Sequence, residues 1–450
     1  MLKLFLWMRY LRKKRIVLLS IAAVALSVAL LIIVASLFGG FIDAFEQSAV
    51  ETVGDVVLST PVRFAKYPQF IERLARLSPV ESATATLSAQ GLLHIGKGNV
   101  RAVTIWGIEP EARAKVTGFK QTLLRQKDVP GEPSFDLPQF SGKPTGFVGI
   151  GVLGEPDEKT DEYDVTAIEK MIGQPVILTT GAVVEEKDPS SNEAKERFRR
   201  KTVEFTIADI VFTGVYDLDK RFVYLPIGYL QNILYPDKED AIADEIQIKL
   251  KDNTQPESAI AQIRGLWQVF AADELGWSED LISYTKIETA KQLQSRYVVE
   301  LRKQMGVLLL IFGVVSFSVV VLIFCIFYMI VRLKQRDIAI IKSCGAASGQ
   351  VSGIFLGFGV CVGILGSGVG AALGYVITKN INAVEEWIRI VFGLKLWKSS
   401  VYMFSKIPNE VDWAAASAIV LLAIIAAAIG TLIPAIVAAR TRPVEILRYE

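Results

Sequence analysis

Four uninterrupted apolar stretches decide most of what this chain can become: Ile16 to Phe38, Met305 to Val331, Val351 to Ile377 and Trp413 to Ala439. None carries a charged side chain, and each reaches the roughly 20 helical residues that cross a hydrocarbon layer. The stretch 305–331 holds nineteen Leu, Ile, Val or Phe residues. At roughly 0.3–0.6 kcal/mol each near mid-bilayer, they favour insertion by about 6–11 kcal/mol. The stretch 351–377 is weaker, because glycine replaces bulk at Gly353, Gly357, Gly359, Gly363, Gly366, Gly368, Gly370 and Gly374, so it is expected to lean on helical neighbours. The alternative is a set of buried helices in one large soluble core.

Flanking charge sets the orientation. Lys3, Arg9, Arg12, Lys13, Lys14 and Arg15 precede the first stretch with no acid among them, whereas Asp43, Glu46, Glu51 and Asp55 follow it. Positive residues stay inside, so the N-terminus is expected in the cytoplasm. Four crossings return Arg440, Arg442 and Arg448 to that side, together with the link bearing Arg332, Lys334, Arg336 and Lys342. The expected order is a cytoplasmic basic N-terminus (1–15), a first span (16–38), an exported domain with stalk helices (39–304), a second span (305–331), a cytoplasmic link (332–350), a third span (351–377), an outer loop (378–412), a fourth span (413–439) and a cytoplasmic C-terminus (440–450). The fold class is therefore integral membrane α-helical, with a large α+β domain inserted between helices 1 and 2. The first apolar run exceeds the 7–15 residues of a signal-peptide core, and no clean small-x-small site follows it, which favours an uncleaved anchor.

Composition excludes several function classes. The 49 basic and 47 acidic residues leave a formal charge of +2, too little for a field that holds nucleic acid. One histidine and three cysteines are too few for a zinc cluster or a disulfide framework. Cys325, Cys344 and Cys361 all lie in or just inside the membrane, so the exported segment has no cysteine for an oxidising compartment to bridge.

That segment alternates apolar and polar residues in Lys201 to Ile207 and Ile246 to Leu250, the pattern of half-buried strands. Phe70, Ile71, Leu74 and Leu77, and again Ile260, Ile263 and Leu266, recur at helical spacing. Two charged tracts, Glu155 to Asp164 and Glu185 to Lys201, read as mobile loops. At the membrane boundary, Ile287, Ala290, Leu293, Tyr297 and Leu301 keep a helical rhythm into the second span, and Phe41, Phe45 and Val53 do so after the first. Both spans are thus expected to continue outward as helices, either as simple linkers or as rods that carry displacement.

No catalytic constellation emerges. Gly91 to Gly98 has the glycine and lysine spacing of a phosphate loop, but Gly98 stands where a hydroxyl should hold magnesium; a hairpin between strands 91–95 and 100–105 is the better reading. His94 has no second histidine and is expected to be a satisfied sheet residue. The glycine pairs 353/357, 359/363, 366/370 and 370/374 flatten helix faces for close approach of another backbone, and Pro434 should kink the fourth span. In the link 332–350, Ile338, Ile340 and Ile341 lie between the charges of Arg336, Asp337 and Lys342, and the pattern stops at Gly345. This is the pattern of a surface helix that either anchors to lipid or docks a cytoplasmic partner.

The residues Val331 to Ala347, VRLKQRDIAIIKSCGAA, resemble the coupling segment of the bacterial permease superfamily that includes the lipoprotein-release, MacB and FtsX proteins. The C-terminal run from Pro434 through Pro443 to Glu450 is similar to the ending of the lipoprotein-release branch. So are Ile407 to Trp413, Ile210 to Asp219 and Val223 to Pro226. Asp337 replaces the usual Glu and Cys344 the usual Met. The resemblance implies a multi-pass bacterial inner-membrane permease of an ABC complex, not itself an enzyme. A cytoplasmic ABC ATPase dimer would bind the ATP and magnesium, leaving this chain with no cofactor. It implies further partners: a second permease subunit, of the same or a sister chain, lipoprotein cargo and a periplasmic carrier. Arg336, Asp337, Ile340, Lys342 and Gly345 fall on the family's coupling helix. Rival expectations are a MacB-like efflux permease and an FtsX-like regulator of a cell-wall hydrolase.

Overall fold

A computed structural model describes residues 15–440, apart from 97, 137, 139–141, 158, 159, 188–193, 239, 400–402 and 405. The basic N-terminal residues 1–14, Lys97 of the expected hairpin turn and the C-terminal motif from Thr441 to Glu450 lie outside the described residues. In chain order the principal elements are α1 (Arg15–Val53), β1 (Val56–Ala65), α2 (Tyr67–Leu74), β2 (Val80–His94), β3 (Val100–Ile108), α3 (Pro110–Val116), β4 (Thr145–Gly149), β5 (Pro175–Lys187), β6 (Ala194–Val211), β7 (Phe222–Pro226), β8 (Ile242–Leu250), α4 (Pro256–Asp273), β9 (Lys286–Thr289), α5 (Ala290–Leu333), α6 (Gln335–Ser343), α7 (Ser348–Lys379), α8 (Ile381–Phe392) and α9 (Trp413–Arg440). The chain forms two compact units. A helical unit comprises Val298–Trp387 with the described parts of Met1–Ala44 and Ile407–Glu450, and a sheet unit comprises Phe45–Tyr297 with the described parts of Ile388–Lys406.

In the helical unit, α1, α5, α7 and α9 are long and apolar enough to cross a membrane. Their helical content follows from the solvent: inside lipid every backbone N–H and C=O must be satisfied within the segment. Both α1 and α5 overrun their apolar stretches, α1 past Phe38 to Val53 and α5 back from Met305 to Ala290. Ile287, expected within that second helix, belongs instead to β9, where it is buried and pairs with Leu58 of β1. Pro434 sits inside α9 and is buried.

Among the described residues the sheet unit holds nine strands in the order β3-β7-β4-β6-β5-β2-β8-β1-β9, and β2 also pairs with β3. That second pairing closes six strands into a ring, while the first half of β2 carries β8, β1 and β9. The alternating residues 201–207 and 246–250 lie in β6 and β8, and Gly91 to Ile105 is the β2–β3 hairpin, with left-handed Gly96 and Gly98 in its turn. Against one face pack α2 and α4, where Trp267 meets Phe64 and Phe70 edge-on at ring distances of 5.0 and 5.1 Å.

The tract Glu185 to Lys201 is not a loop. Its described residues continue β5 and β6, which pair without interruption from Pro175↔Thr206 to Lys187↔Ala194. Beyond Thr180 and Lys201 neither strand pairs with another neighbour, so this part is a two-stranded ribbon, exposed at Phe198, Arg199, Arg200 and Lys201. Such a ribbon needs no apolar alternation, and its charges therefore resemble those of a loop. In the other charged tract, Asp161 accepts a hydrogen bond at 2.6 Å from the backbone N–H of Ser399, within the sheet unit.

Candidate functional site

The glycines of α7 face two different helices. A Cβ built on Gly359 would overlap the Thr431 side chain, and one on Gly363 would stand 2.9 Å from the Ala427 methyl, so this pair admits α9. Farther along the same face, a Cβ on Gly366 would meet Val24 at 2.7 Å. One on Gly370 would meet the Ala25 carbonyl at 2.6 Å, and one on Gly374 would meet Ile32 at 3.1 Å; these three admit α1. Gly368, on the outward face, has nothing within 4 Å. Gly353 and Gly357 are half-buried, six and two residues before these contacts begin. Spacing marked the faces but not their partners Thr431, Ala427, Val24 and Ile32, since complementarity needs both helices.

Between α1, α5 and α9 lies an apolar cavity of about 440 Å³, walled by residues such as Leu31, Leu309, Val320 and Leu422. Its two serines, Ser27 and Ser316, hydrogen-bond to each other at 2.9 Å. With that polarity internally satisfied, the lining is suited to hydrocarbon.

The link between α5 and α7 folds as α6. Ile338 and Ala339 are buried, whereas Arg336, Asp337, Ile340 and Ile341 are exposed on the opposite face. Lys334 pairs with Asp337. Of the five residues expected to form one docking surface, Arg336, Asp337 and Ile340 share this outward face. Lys342 is turned inward and donates from Nζ to the Ala439 carbonyl of α9 at 2.7 Å. Gly345, at φ +95°, ends the helix: its N–H reaches the Lys342 carbonyl and that of Ala346 reaches Ile341. This is the Schellman arrangement, which glycine adopts without strain. Exposed Ile341 joins the face and was recognisable from sequence only as apolar.

In the sheet unit, the last turn of α1 and the first residue of α5 are anchored at one place. Arg113 of α3 is almost fully buried. Its Nη2 donates to the Thr52 carbonyl at 2.8 Å and its Nη1 to Gln247 at 3.0 Å, and its guanidinium lies over Trp106 at 4.6 Å. Burial pulls this guanidinium below its ordinary pKa, opposed by nearby Tyr224 and Glu245. Asp55 follows at once. Its carboxylate accepts from the Leu250 N–H at 2.9 Å and forms an ion pair with Lys249 Nζ at 3.3 Å, and its carbonyl accepts from the N–H of Ala290 at 3.0 Å. Antiparallel pairing of β1 with β9 completes this root. No short motif announces it, because Arg113, Asp55 and Ala290 are far apart in sequence.

His94 is half-buried in β2, with the Thr179 hydroxyl 3.5 Å from Nε2. Among the described residues no three His, Cys, Asp or Glu side chains are gathered as metal ligands.

Residues 309–443 match the FtsX-like permease C-terminal family. The helical unit thus carries an FtsX-like permease domain. Over its whole length the chain is 26% identical to the lipoprotein-releasing system transmembrane protein LolC of Neisseria meningitidis, with 100% of this chain and 99% of that protein aligned. It is 23% identical to LolE of Haemophilus influenzae, with 95% and 93% aligned. Among solved structures, the periplasmic region of MacB from Actinobacillus actinomycetemcomitans aligns with 55% of this chain and 95% of its own, at 13% identity and a TM-score of 0.30. The extracellular domain of the transporter YknZ aligns with 52% and 98%, also at 13% identity and 0.30. With four helices among the described residues long and apolar enough to cross a membrane, this is a multi-pass protein of the inner membrane.

Proposed function

We infer that this permease is a subunit of an ABC complex that releases lipoproteins from the inner membrane and passes them to a periplasmic carrier. End-to-end similarity to lipoprotein-releasing permeases carries the reading, since it spans the membrane helices and the sheet unit alike. The energetics call for a motor. At roughly 0.8 kcal/mol per buried methylene, one acyl chain of ordinary length resists extraction by about 10 kcal/mol. A separate cytoplasmic ATPase dimer binds ATP with magnesium and supplies that energy; this chain contributes no catalytic residue.

Each part of the chain has a place in this scheme. The ATPase docks on the outward face of α6, where Arg336 and Asp337 flank exposed Ile340 and Ile341. Lys342 and Gly345 hold that helix against α9 and end it. Continuous helices α1 and α5, rooted through Arg113 and Asp55, carry the stroke to the sheet unit on the periplasmic side. Acyl chains enter the cavity of α1, α5 and α9, completed by a second permease subunit. The β5–β6 ribbon, with Phe198 84% exposed, offers the carrier an apolar anchor on a polar stem.

The test is depletion of the protein in cells followed by counting of lipoproteins held in the inner membrane, which should rise severalfold; an unchanged count refutes the cargo. Docking is tested separately. Ile340→Asp should abolish copurification of the ATPase while leaving the permease folded, and undiminished recovery would show that α6 is not the contact.

A further inference from the structure

The outer loop expected over 378–412 contains α8, a helix that sequence reading passed over. It follows α7 after the single residue Asn380, and none of its side chains is buried. Ala383, Trp387, Ile390 and Val391 recur three to four positions apart, hence on one face. Trp387 is 59%, Ile390 72% and Val391 53% exposed. Glu385, Glu386 and Arg389 fall together on a strip of the other side. Leu394, also exposed, follows the helix directly.

Two observations indicate what covers this face. The first is depth. At the adjoining ends of α7 and α9, Tyr375 and Trp413 stack at 5.6 Å, and Lys379 Nζ lies 5.7 Å from the Tyr375 ring. Aromatic rings joined by a lysine at the end of a span mark the headgroup level of a bilayer, and α8 starts there. The second is continuity. The outer surface of α7 up to Val376 is apolar and exposed, as lipid requires, and the apolar face of α8 resumes within two turns of it. A helix of twelve residues, about 18 Å long, is too short to cross the bilayer. Its broad apolar face opposite a narrow charged strip suits the boundary plane.

We propose that the face of α8 bearing Trp387, Ile390 and Val391 is a lipid-binding surface, lying along the boundary between headgroups and acyl chains of the leaflet at that end of α7 and α9. The surface is independent of the cargo reading, because it uses bulk lipid as its ligand.

The test places one fluorophore on each side of the helix. The full chain with Cys325, Cys344 and Cys361 replaced by serine would carry Ile390→Cys or Glu386→Cys, labelled with bimane. Nanodiscs of phosphatidylethanolamine and phosphatidylglycerol would hold it, with nitroxide near the lipid headgroup as one quencher and aqueous iodide as the other. At position 390 the lipid nitroxide should remove severalfold more emission than iodide, and at position 386 the order should reverse. Equal iodide quenching at both positions would show the face to be in water. Failure of both quenchers at 390 would show that protein covers it. Either result overturns the proposal. Should Ile390→Cys aggregate on gel filtration, Val391→Cys reads the same face.

Discussion

The two units of this permease are packed by opposite means. In the sheet unit bulk fills space: Trp267, Phe64, Phe70 and Phe270 are all nearly inaccessible, and their burial from water stabilises the fold. In the helical unit the decisive positions have no side chain at all. Lipid tails are as apolar as leucine, so helices gain little from burying bulk against one another and gain from close approach. One chain thus obeys two packing rules, and each change of solvent along it is also a change of rule.

Removing bulk from the sheet unit should have the largest effect. Trp267→Ala is expected to cost about 3–5 kcal/mol, read as a lowered melting temperature of the purified chain. The comparison would break if truncating the exposed Trp387 of α8 cost as much.

A pH effect of similar order should be confined to the sheet unit. Asp219 is buried; its carboxylate accepts from the Thr213 N–H at 2.7 Å, the Thr213 hydroxyl at 2.8 Å and the Gly214 N–H at 3.1 Å. Burial raises its pKa from 3.8 to about 7 against the pull of these donors. The folded state therefore keeps a proton that the unfolded chain releases above about pH 4. Stability should fall as pH rises from about 4 to 7, by as much as about 4 kcal/mol. Asp219→Asn should remove that part of the slope, and identical pH profiles for the two proteins would show that Asp219 is already ionised when folded.

Adding bulk tests the helical unit. Gly370→Ala places a methyl 2.6 Å from the Ala25 carbonyl and should destabilise by about 1–3 kcal/mol. Gly368→Ala, on the same helix but facing open space, should be neutral or slightly stabilising. Equal melting temperatures for these variants would show that α1 and α7 can separate without loss. Smallest of all, Lys342→Met should cost about 1–2 kcal/mol through its lost bond to the Ala439 carbonyl, weakening ATPase recovery less than Ile340→Asp.

Much of this architecture is written in local pattern. The four spans are legible because lipid demands contiguous apolar residues, and β6, β8 and the β2–β3 hairpin because one buried face forces alternation. The ribbon of β5 and β6 escapes that logic, having no further strand beside it, and Ile287 keeps a helical rhythm although β1 recruits it into a strand. α8 is hidden because Glu385, Glu386 and Arg389 interrupt its apolar residues in a segment too short to register as a span.

For the docking helix, the chain alone names a basic, isoleucine-bearing segment that ends at Gly345. That Ile340 and Ile341 face out while Lys342 reaches back to Ala439 depends on α9, almost a hundred residues away. The glycine faces follow the same rule: their four-residue period is local, but whether a methyl is tolerated at Gly359 or Gly368 depends on which helix stands opposite. Periodicity is a property of one segment in its solvent, whereas complementarity belongs to two segments at once, and it exists only after the chain has brought them together.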